Sequence, residues 1–246
     1  MSIQAASIDP EEIARFSALS AEWWNPAGSF RPLHRFNPVR LGYIRDAVAA
    51  HYRRDPLAPS PLAGLGLLDI GCGGGLAAEP MARLGAAVVG VDASEKNIGV
   101  ARHHAAESGL AIDYRCTSAE ALAASGAQFD VILALEVVEH VADPAGFFRC
   151  LGQMLKPGGI LIGATLNRTP KAYALAIVGA EYILRWLPKG THDWKKFLKP
   201  HELAKLMRDA GLNVSAVAGA SYDPLSEKWS ITRDTGVNYL MVAVRR

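Results

Sequence analysis

The sequence predicts an α/β fold in which a mostly parallel sheet of seven strands is covered by helices on both faces. Apolar, β-branched runs of strand length alternate with helix-length segments through the middle of the 246-residue chain. Those runs are almost continuously apolar, which is typical of parallel strands buried on both faces. Hydrophobic residues make up 50% of the chain and charged residues 20%, so a sizeable core can form.

Five of the expected strands alternate with helices, and two more follow a helix near residues 201–210. In chain order the first five are Gly66–Ile70, Ala87–Val91, Ala111–Arg115, Phe129–Leu135 and Gly159–Thr165. The last two are the stretches GLNVSAVAG and VNYLMVAVRR, a hairpin-like pair that adds one antiparallel strand.

Polar residues and glycines mark the ends of the expected helices. Ser94 and Asp143 stand where N-cap residues belong, because their side-chain oxygens can accept hydrogen bonds from first-turn amides. Gly85, Gly109 and Gly158 follow helix-length segments and indicate where those helices end.

We expect a single domain spanning residues 1–246, since the strand–helix alternation is continuous and no repeat divides it. Around a core at 62–165, the chain has an N-terminal helical extension at 1–54, an insertion at 166–199, and a C-terminal helix with strands at 200–246. The proline-rich stretch DPLAPSPLAG joins the extension to the core.

Composition indicates which binding partners and which cellular compartment to expect for this protein. The formal net charge of +2 gives no indication of nucleic-acid binding. Three widely spaced cysteines lack metal-ligand spacing and suit a reducing compartment. The N-terminus lacks the pattern of a signal peptide, and no stretch reaches the roughly 18 uninterrupted apolar residues of a membrane span. We therefore expect a cytoplasmic protein.

A glycine cluster follows the first expected strand, in the stretch LLDIGCGGGL. In an open parallel sheet, the carboxyl end of the first strand borders the crevice where ligands bind. Glycines such as Gly71 let the backbone approach a ligand without a Cβ in the way. The second strand ends at Asp92, twenty-one residues after Gly71, where a carboxylate can accept hydrogen bonds from both ribose hydroxyls.

The glycine cluster differs from the patterns that bind phosphates. Counted from Gly71, the third glycine of the dinucleotide fingerprint would stand at residue 76, which is Leu76. No lysine follows the loop, so a P-loop is also excluded. The pattern therefore favours a nucleoside ligand that lacks phosphates.

Four motifs together carry a resemblance to a known family. LDIGCGGG, GVDAS, FDVILALEVVEHV and LKPGG resemble, in order and spacing, the motifs of class I S-adenosylmethionine-dependent methyltransferases. The flanks 16–44 and 166–200, with the C-terminal GVNYL, resemble the ubiquinone biosynthesis O-methyltransferase family more specifically. The resemblance covers nearly the whole chain and implies the Rossmann-like fold of class I methyltransferases.

The resemblance also implies an activity and a set of contacts. Members of that family methylate hydroxyls of polyprenylated precursors, of the 2-polyprenyl-6-hydroxyphenol type and of 3-demethylubiquinol. The donor is S-adenosylmethionine, and other proteins of the ubiquinone pathway are potential partners. Carried over by position, the cofactor contacts fall on Arg40, Gly71, Asp92 and Leu135. Arg40 would neutralise the methionine carboxylate, and Leu135 would pack on the cofactor.

The motif EVVEH supplies candidates for the chemistry at the end of the fourth strand. Glu136, Glu139 and His140 are spaced i, i+3, i+4, which places them on one side of a helical turn. His140 is a candidate general base near neutral pH. Alternatively the three hold Mg²⁺, as the resemblance implies, although histidine is an unusual ligand for magnesium. A structural role for His140 in ordering the loop is the third alternative.

The insertion suggests contact with a membrane surface. The stretch 171–187 is rich in bulky apolar residues, is interrupted by Glu181 and Arg185, and is followed by Lys189, Lys195, Lys196 and Lys199. An apolar helix followed by basic residues is typical of peripheral attachment to an anionic membrane, here at its inner face. The alternative is a helix that covers the substrate.

Two other functions remain compatible with the motifs at this stage. One is a methyltransferase that acts on a different small or lipid-like substrate. The other is a non-catalytic, membrane-associated assembly protein that kept the fold. Gly71, Asp92 and Arg40 argue against the second, because a scaffold needs no cofactor contacts.

Overall fold

The computed structural model describes residues 7–175, 193–223 and 226–246. Its described strands form one sheet in the order β3-β2-β1-β4-β5-β8-β6-β7. The strands are β1 (Gly66–Ile70), β2 (Ala87–Asp92), β3 (Asp113–Cys116), β4 (Phe129–Leu135), β5 (Leu155–Leu166), β6 (Leu212–Asp223), β7 (Lys228–Thr232) and β8 (Asn238–Arg245). Strands β1 to β5 pair in parallel, whereas β8 is antiparallel to both β5 and β6, and β7 to β6.

Helices connect these strands and extend the chain at its N-terminal side. They are α1 (Pro10–Ala18), α2 (Arg31–His51), α3 (Ala78–Arg83), α4 (Glu95–Glu107), α5 (Ala119–Ala124), α6 (Pro144–Met154), α7 (Pro170–Ala172) and α8 (Pro200–Asp209). Single 3-10 turns lie at Ser20–Glu22, Val138–His140 and Trp194–Lys196.

Both expected N-caps are confirmed. Ser94 Oγ accepts a hydrogen bond from the amide of Asn97 at the start of α4, and Asp143 Oδ1 accepts one from Gly146 at the start of α6. These oxygens satisfy amides that lack a partner within the helix.

The sheet corrects the expected strand number from seven to eight. The additional strand, β7, is short, lies at the sheet edge and pairs only with β6. A five-residue edge strand with half-exposed side chains gives little alternation to detect.

The start of β5 is a second correction. The strand begins at Leu155 rather than Gly159, so Gly158 lies inside it and does not end a helix. The stretch Lys156–Gly159 has the composition of a turn, yet it continues the strand next to β4 with an irregularity in pairing.

Side chains on the two faces of the sheet belong to two separate apolar clusters. Leu67 and Val131 pack on one face with residues of α2, α3 and α4. Leu68 and Ile132 pack on the other face with residues of α6 and α8. Successive side chains of a strand point to opposite faces, so burial on both faces requires the continuous apolar runs seen in the sequence.

No helix within the three described ranges is long and apolar enough to cross a membrane. Residues 176–192, which include most of the 171–187 stretch with Glu181, Arg185 and also Lys189, lie outside the described residues. The interfacial helix and the division into core, extension and insertion therefore stay predictions.

Candidate functional site

The carboxyl ends of β1 to β4 border a cavity of about 150 Å³. At this edge of the sheet it is lined by residues at or just after the strand ends, among them Gly71, Asp92, Ser118 and Glu136. From the N-terminal side it is lined by Ser7, Ile8, Asp9, Glu12, Ile13, Phe16 and Trp23. The expected crevice is therefore closed on one side by the N-terminal extension.

Gly71 and Gly73 need to be glycine for two reasons. Both have left-handed backbones, with φ of 75° at Gly71 and 53° at Gly73. A Cβ at Gly71 would lie 2.6 Å from Cγ2 of Val137, and one at Gly73 would overlap the indole ring of Trp23. The bend after β1 thus accepts only a residue without a side chain.

Two tryptophans of the extension cover this bend. Trp23 donates from its indole N–H to Asn97 Oδ1 at 3.0 Å, and Trp24 donates to the carbonyl of Gly74 at 2.9 Å. Trp24 also stacks on His104, with ring centroids 3.5 Å apart. Their hydrogen bonds fix the extension against the loop and the start of α4.

Asp92 is held by three protein donors. Its Oδ1 accepts from the amide of Ser94 at 2.8 Å and from the Asn97 side chain at 3.2 Å, and its Oδ2 accepts from the amide of Gly73 at 3.0 Å. A carboxylate offers about four acceptor positions, so one remains on Oδ2. This leaves room for one ribose hydroxyl, whereas the sequence led us to expect two.

A buried charged group lies beneath the cavity. Arg40 on α2 is buried, and its Nη1 lies 3.9 Å from Oε1 of Glu136. Burial lowers the pKa of Arg40, while the charges of Glu136 and Asp69 raise it. Burial raises the pKa of Asp69 to about 7, an effect that Arg40 opposes and Asp92 reinforces.

Two polar atoms of this group have no hydrogen-bond partner among the described residues. Arg40 Nε and Asp69 Oδ2 are buried and make no hydrogen bond within the described chain. Buried polar atoms are nearly always hydrogen-bonded, so a ligand or a water molecule is the expected partner of these two. Of the four expected cofactor contacts, Gly71 and Asp92 line the cavity; neither Arg40 nor Leu135 is among its described lining residues.

The EVVEH turn differs from the expected helical turn. Glu136 has a left-handed backbone, with φ of 52°, and only Val138–His140 form a helical turn, which is 3-10. Glu136 faces Arg40, whereas Glu139 is buried and accepts a hydrogen bond from Thr165 Oγ1 at 2.8 Å. The spacing rule for α-helices therefore does not apply here.

Each of the three side chains of the expected magnesium site contacts a residue outside that set, and Glu136 and Glu139 also interact with each other. Burial, and then the charge of Glu136, raise the pKa of Glu139 well above its usual range. His140 faces Glu12, with Nδ1 3.2 Å from Oε2. No three His, Cys, Asp or Glu side chains of the described residues are arranged to hold a metal ion. This arrangement does not fit Mg²⁺.

Glu12 is a site residue that the sequence did not reveal. Burial raises its pKa, but His140, Lys196 and Arg15 together lower it to about 2, so Glu12 is a carboxylate. Lys196 lies 3.2 Å from both Asp9 and Glu12. The contact of Glu12 with His140, 128 positions away in the chain, leaves no local pattern in the sequence.

Comparison with known proteins identifies the family. A protein-family model described as a methyltransferase domain matches residues 42–217. A protein of Parvibaculum lavamentivorans named ubiquinone biosynthesis O-methyltransferase is 62% identical over 240 residues, which are 98% of this chain and 95% of that protein. The chain belongs to the ubiquinone biosynthesis O-methyltransferase family. A protein of the same name from Dinoroseobacter shibae is 58% identical over 246 residues, covering 100% of this chain and 99% of its own.

The fold of this O-methyltransferase also agrees with solved structures. Magnesium protoporphyrin IX methyltransferase from Synechocystis PCC 6803 with bound S-adenosylmethionine aligns with a TM-score of 0.62. The alignment covers 98% of this chain and 99% of that one, at 19% identity. The predicted Rossmann-like class I methyltransferase fold is confirmed.

Proposed function

We propose that this O-methyltransferase methylates a hydroxyl of a polyprenylated catechol, and of the later 3-demethylubiquinol, with His140 as the base. S-adenosylmethionine is the methyl donor. The observation that carries the proposal is the cavity at the carboxyl ends of β1 to β4. A glycine bend, several acidic side chains and His140 line it together.

The charge of the cavity suits this donor. Four carboxylates line it, those of Asp9, Glu12, Asp92 and Glu136, and no lysine or arginine is among its described lining residues. A ligand with a sulfonium and an ammonium group gains attraction from such a lining, whereas a diphosphate would be repelled. The acidic lining therefore supports a phosphate-free nucleoside.

Four residues would hold the donor. Gly71 would allow close approach of the backbone, and Asp92 would bind a ribose hydroxyl through its remaining acceptor position. Arg40, with its unpaired Nε beside Asp69, would bind the methionine carboxylate. Leu135, at the end of β4, would supply an apolar contact.

The difficult part of the reaction is forming the nucleophile. A phenol-type hydroxyl has a pKa near 10, so forming its anion at pH 7 requires about 4 kcal/mol. His140 lines the cavity and would take that proton. When bound, the donor supplies a sulfonium methyl group that passes to the phenolate oxygen, while the C–S electron pair stays on sulfur and leaves S-adenosylhomocysteine.

A labelled-methyl assay tests the proposal. With a short-chain prenyl catechol we expect a labelled O-methyl ether and S-adenosylhomocysteine in equal amounts, because one hydroxyl accepts each methyl group. The same ring with both hydroxyls already methylated is the control and should accept no label. Product analysis by mass spectrometry measures the ratio.

Two results would contradict the proposal in different ways. Binding of S-adenosylhomocysteine by calorimetry, without transfer to the catechol, would indicate a methyltransferase for another substrate. Absence of that binding would instead favour the non-catalytic assembly protein.

Membrane attachment belongs to the same proposal, because a polyprenyl tail partitions into a bilayer. Tyr173 and Leu175, at the start of the insertion, are exposed apolar side chains. Lys195 and Lys199 are also exposed, whereas Lys196 is paired with Asp9 and Glu12. These features support a peripheral surface to which the described part of the insertion contributes Lys195 and Lys199 as exposed basic side chains.

Vesicle flotation tests this attachment. Since each basic residue near an anionic surface contributes about 1 kcal/mol, the variant Lys195→Gln/Lys199→Gln should bind anionic vesicles roughly 30-fold more weakly at low salt. The matched control Lys205→Gln/Lys228→Gln removes two charges elsewhere and should bind like the wild type. Equal binding of both variants would contradict the proposed surface.

A further inference from the structure

The N-terminal helix contacts the candidate base through a carboxylate. Oε2 of Glu12 lies 3.2 Å from Nδ1 of His140, although the two residues are 128 positions apart in the chain. Phe16, one turn further along α1, packs edge-on against the same imidazole, with ring centroids 5.0 Å apart. Both side chains of this pair are largely buried, with 15% of His140 and 11% of Glu12 exposed. The orientation of the His140 ring therefore depends on α1.

A carboxylate at this position selects one tautomer of the imidazole. An ionised carboxylate only accepts hydrogen bonds, so the ring nitrogen facing it must carry a proton. In a neutral histidine the proton on Nδ1 leaves the lone pair on Nε2. The contacts of Arg15 and Lys196 with Glu12 add positive charge around the carboxylate and favour its ionised form.

We propose that Glu12 is a positioning residue for methyl transfer, which holds His140 in the tautomer and orientation that the base requires. The inference rests on the proposed function, in which His140 takes the proton of the substrate hydroxyl. In that step the O–H bond breaks, the proton bonds to Nε2, and the electron pair remains on oxygen. Glu12 itself takes no proton.

A purely structural role for Glu12, as an anchor of α1, makes a different prediction. Lys196 offers the comparison, because it contacts the other oxygen of Glu12, Oε1, at 3.2 Å and also Asp9 at 3.2 Å. Replacing Lys196 weakens the anchorage of α1 but leaves the contact between Glu12 and His140. If anchorage were the whole role, Lys196→Gln and Glu12→Gln would have similar effects.

The test compares kcat, KM and S-adenosylhomocysteine affinity in matched variants, with a soluble short-chain catechol. Glu12→Gln keeps the size of the side chain but removes its charge, and its amide can face Nδ1 with either a donor or an acceptor. We expect kcat to fall about 10-fold, the effect of losing an orienting partner, while KM and cofactor affinity change less than about 2-fold. Glu11→Gln, an exposed neighbour on the same helical turn, and Lys196→Gln should keep kcat within about 3-fold of the wild type.

A double variant separates the inference from the function on which it rests. If Glu12 acts through His140, Glu12→Gln should not lower kcat further in a His140→Ala background. The same 10-fold loss in both backgrounds, or an unchanged kcat in Glu12→Gln alone, would overturn the positioning role while His140 remained the base. A wild-type kcat in His140→Ala would instead overturn the role of His140 as the base, while O-methylation itself would stand.

Discussion

The His140→Ala variant is expected to lose about 100-fold or more of kcat, because general bases contribute roughly 10²- to 10⁴-fold to proton transfer in enzymes. The substrate hydroxyl would then have to lose its proton to water in a cavity that four carboxylates make unfavourable for an anion. KM for a short-chain catechol should change much less than kcat, since the side chain acts mainly in the transition state. Initial rates with labelled donor measure both constants.

Two controls are needed to interpret the expected loss of kcat in His140→Ala. His103→Ala removes an exposed histidine on α4, away from the cavity, and should retain wild-type kcat. Binding of S-adenosylhomocysteine to His140→Ala should match the wild type, which shows that the cavity remains intact. If kcat stayed within about 3-fold of the wild type, His140 would have only the structural role of ordering the loop.

The part of the fold that was predictable is the part with strong local patterns. β1 and β4 have the predicted bounds, because each is an apolar run limited by residues that suit strand ends. β7 was missed because all its side chains are exposed or half-exposed, and such residues are as common in loops as in strands. The start of β5 was missed because Pro157 and Gly158 indicate a turn locally, while pairing with β4 determines the backbone.

The residues of the candidate site also divide into those that the sequence predicted and those that it did not. Gly71 and Asp92 were predictable because Gly71 directly follows β1, Asp92 ends β2, and the carboxyl ends of both strands border the crevice. Glu12 was not, since it reaches the cavity from a segment far away in sequence that packs beside His140 only in the folded chain. The magnesium set was implied by the family resemblance together with helical spacing, and the left-handed backbone at Glu136 removes that spacing.

Gly71→Ala, in the bend after β1, is the second substitution for which we expect a large effect. A left-handed backbone with a side chain requires about 1–2 kcal/mol, and overpacking against Val137 adds about 1–3 kcal/mol. We expect the free energy of unfolding to fall by about 3 kcal/mol, together with at least a roughly 10-fold loss of affinity for S-adenosylhomocysteine. Chemical denaturation and calorimetry measure the two quantities.

Gly99→Ala is the matched control, because Gly99 lies in α4 and a Cβ there would meet nothing within 4 Å. In a helix this change should stabilise the protein by about 0.5–1 kcal/mol and leave cofactor affinity unchanged. Since affinity is measured in buffer where both variants are folded, a loss confined to Gly71→Ala reflects the bend itself and not global unfolding. A Gly71→Ala variant with wild-type affinity would mean that the donor binds away from this bend, and the roles of Asp92 and Arg40 in holding it would fail with that of Gly71.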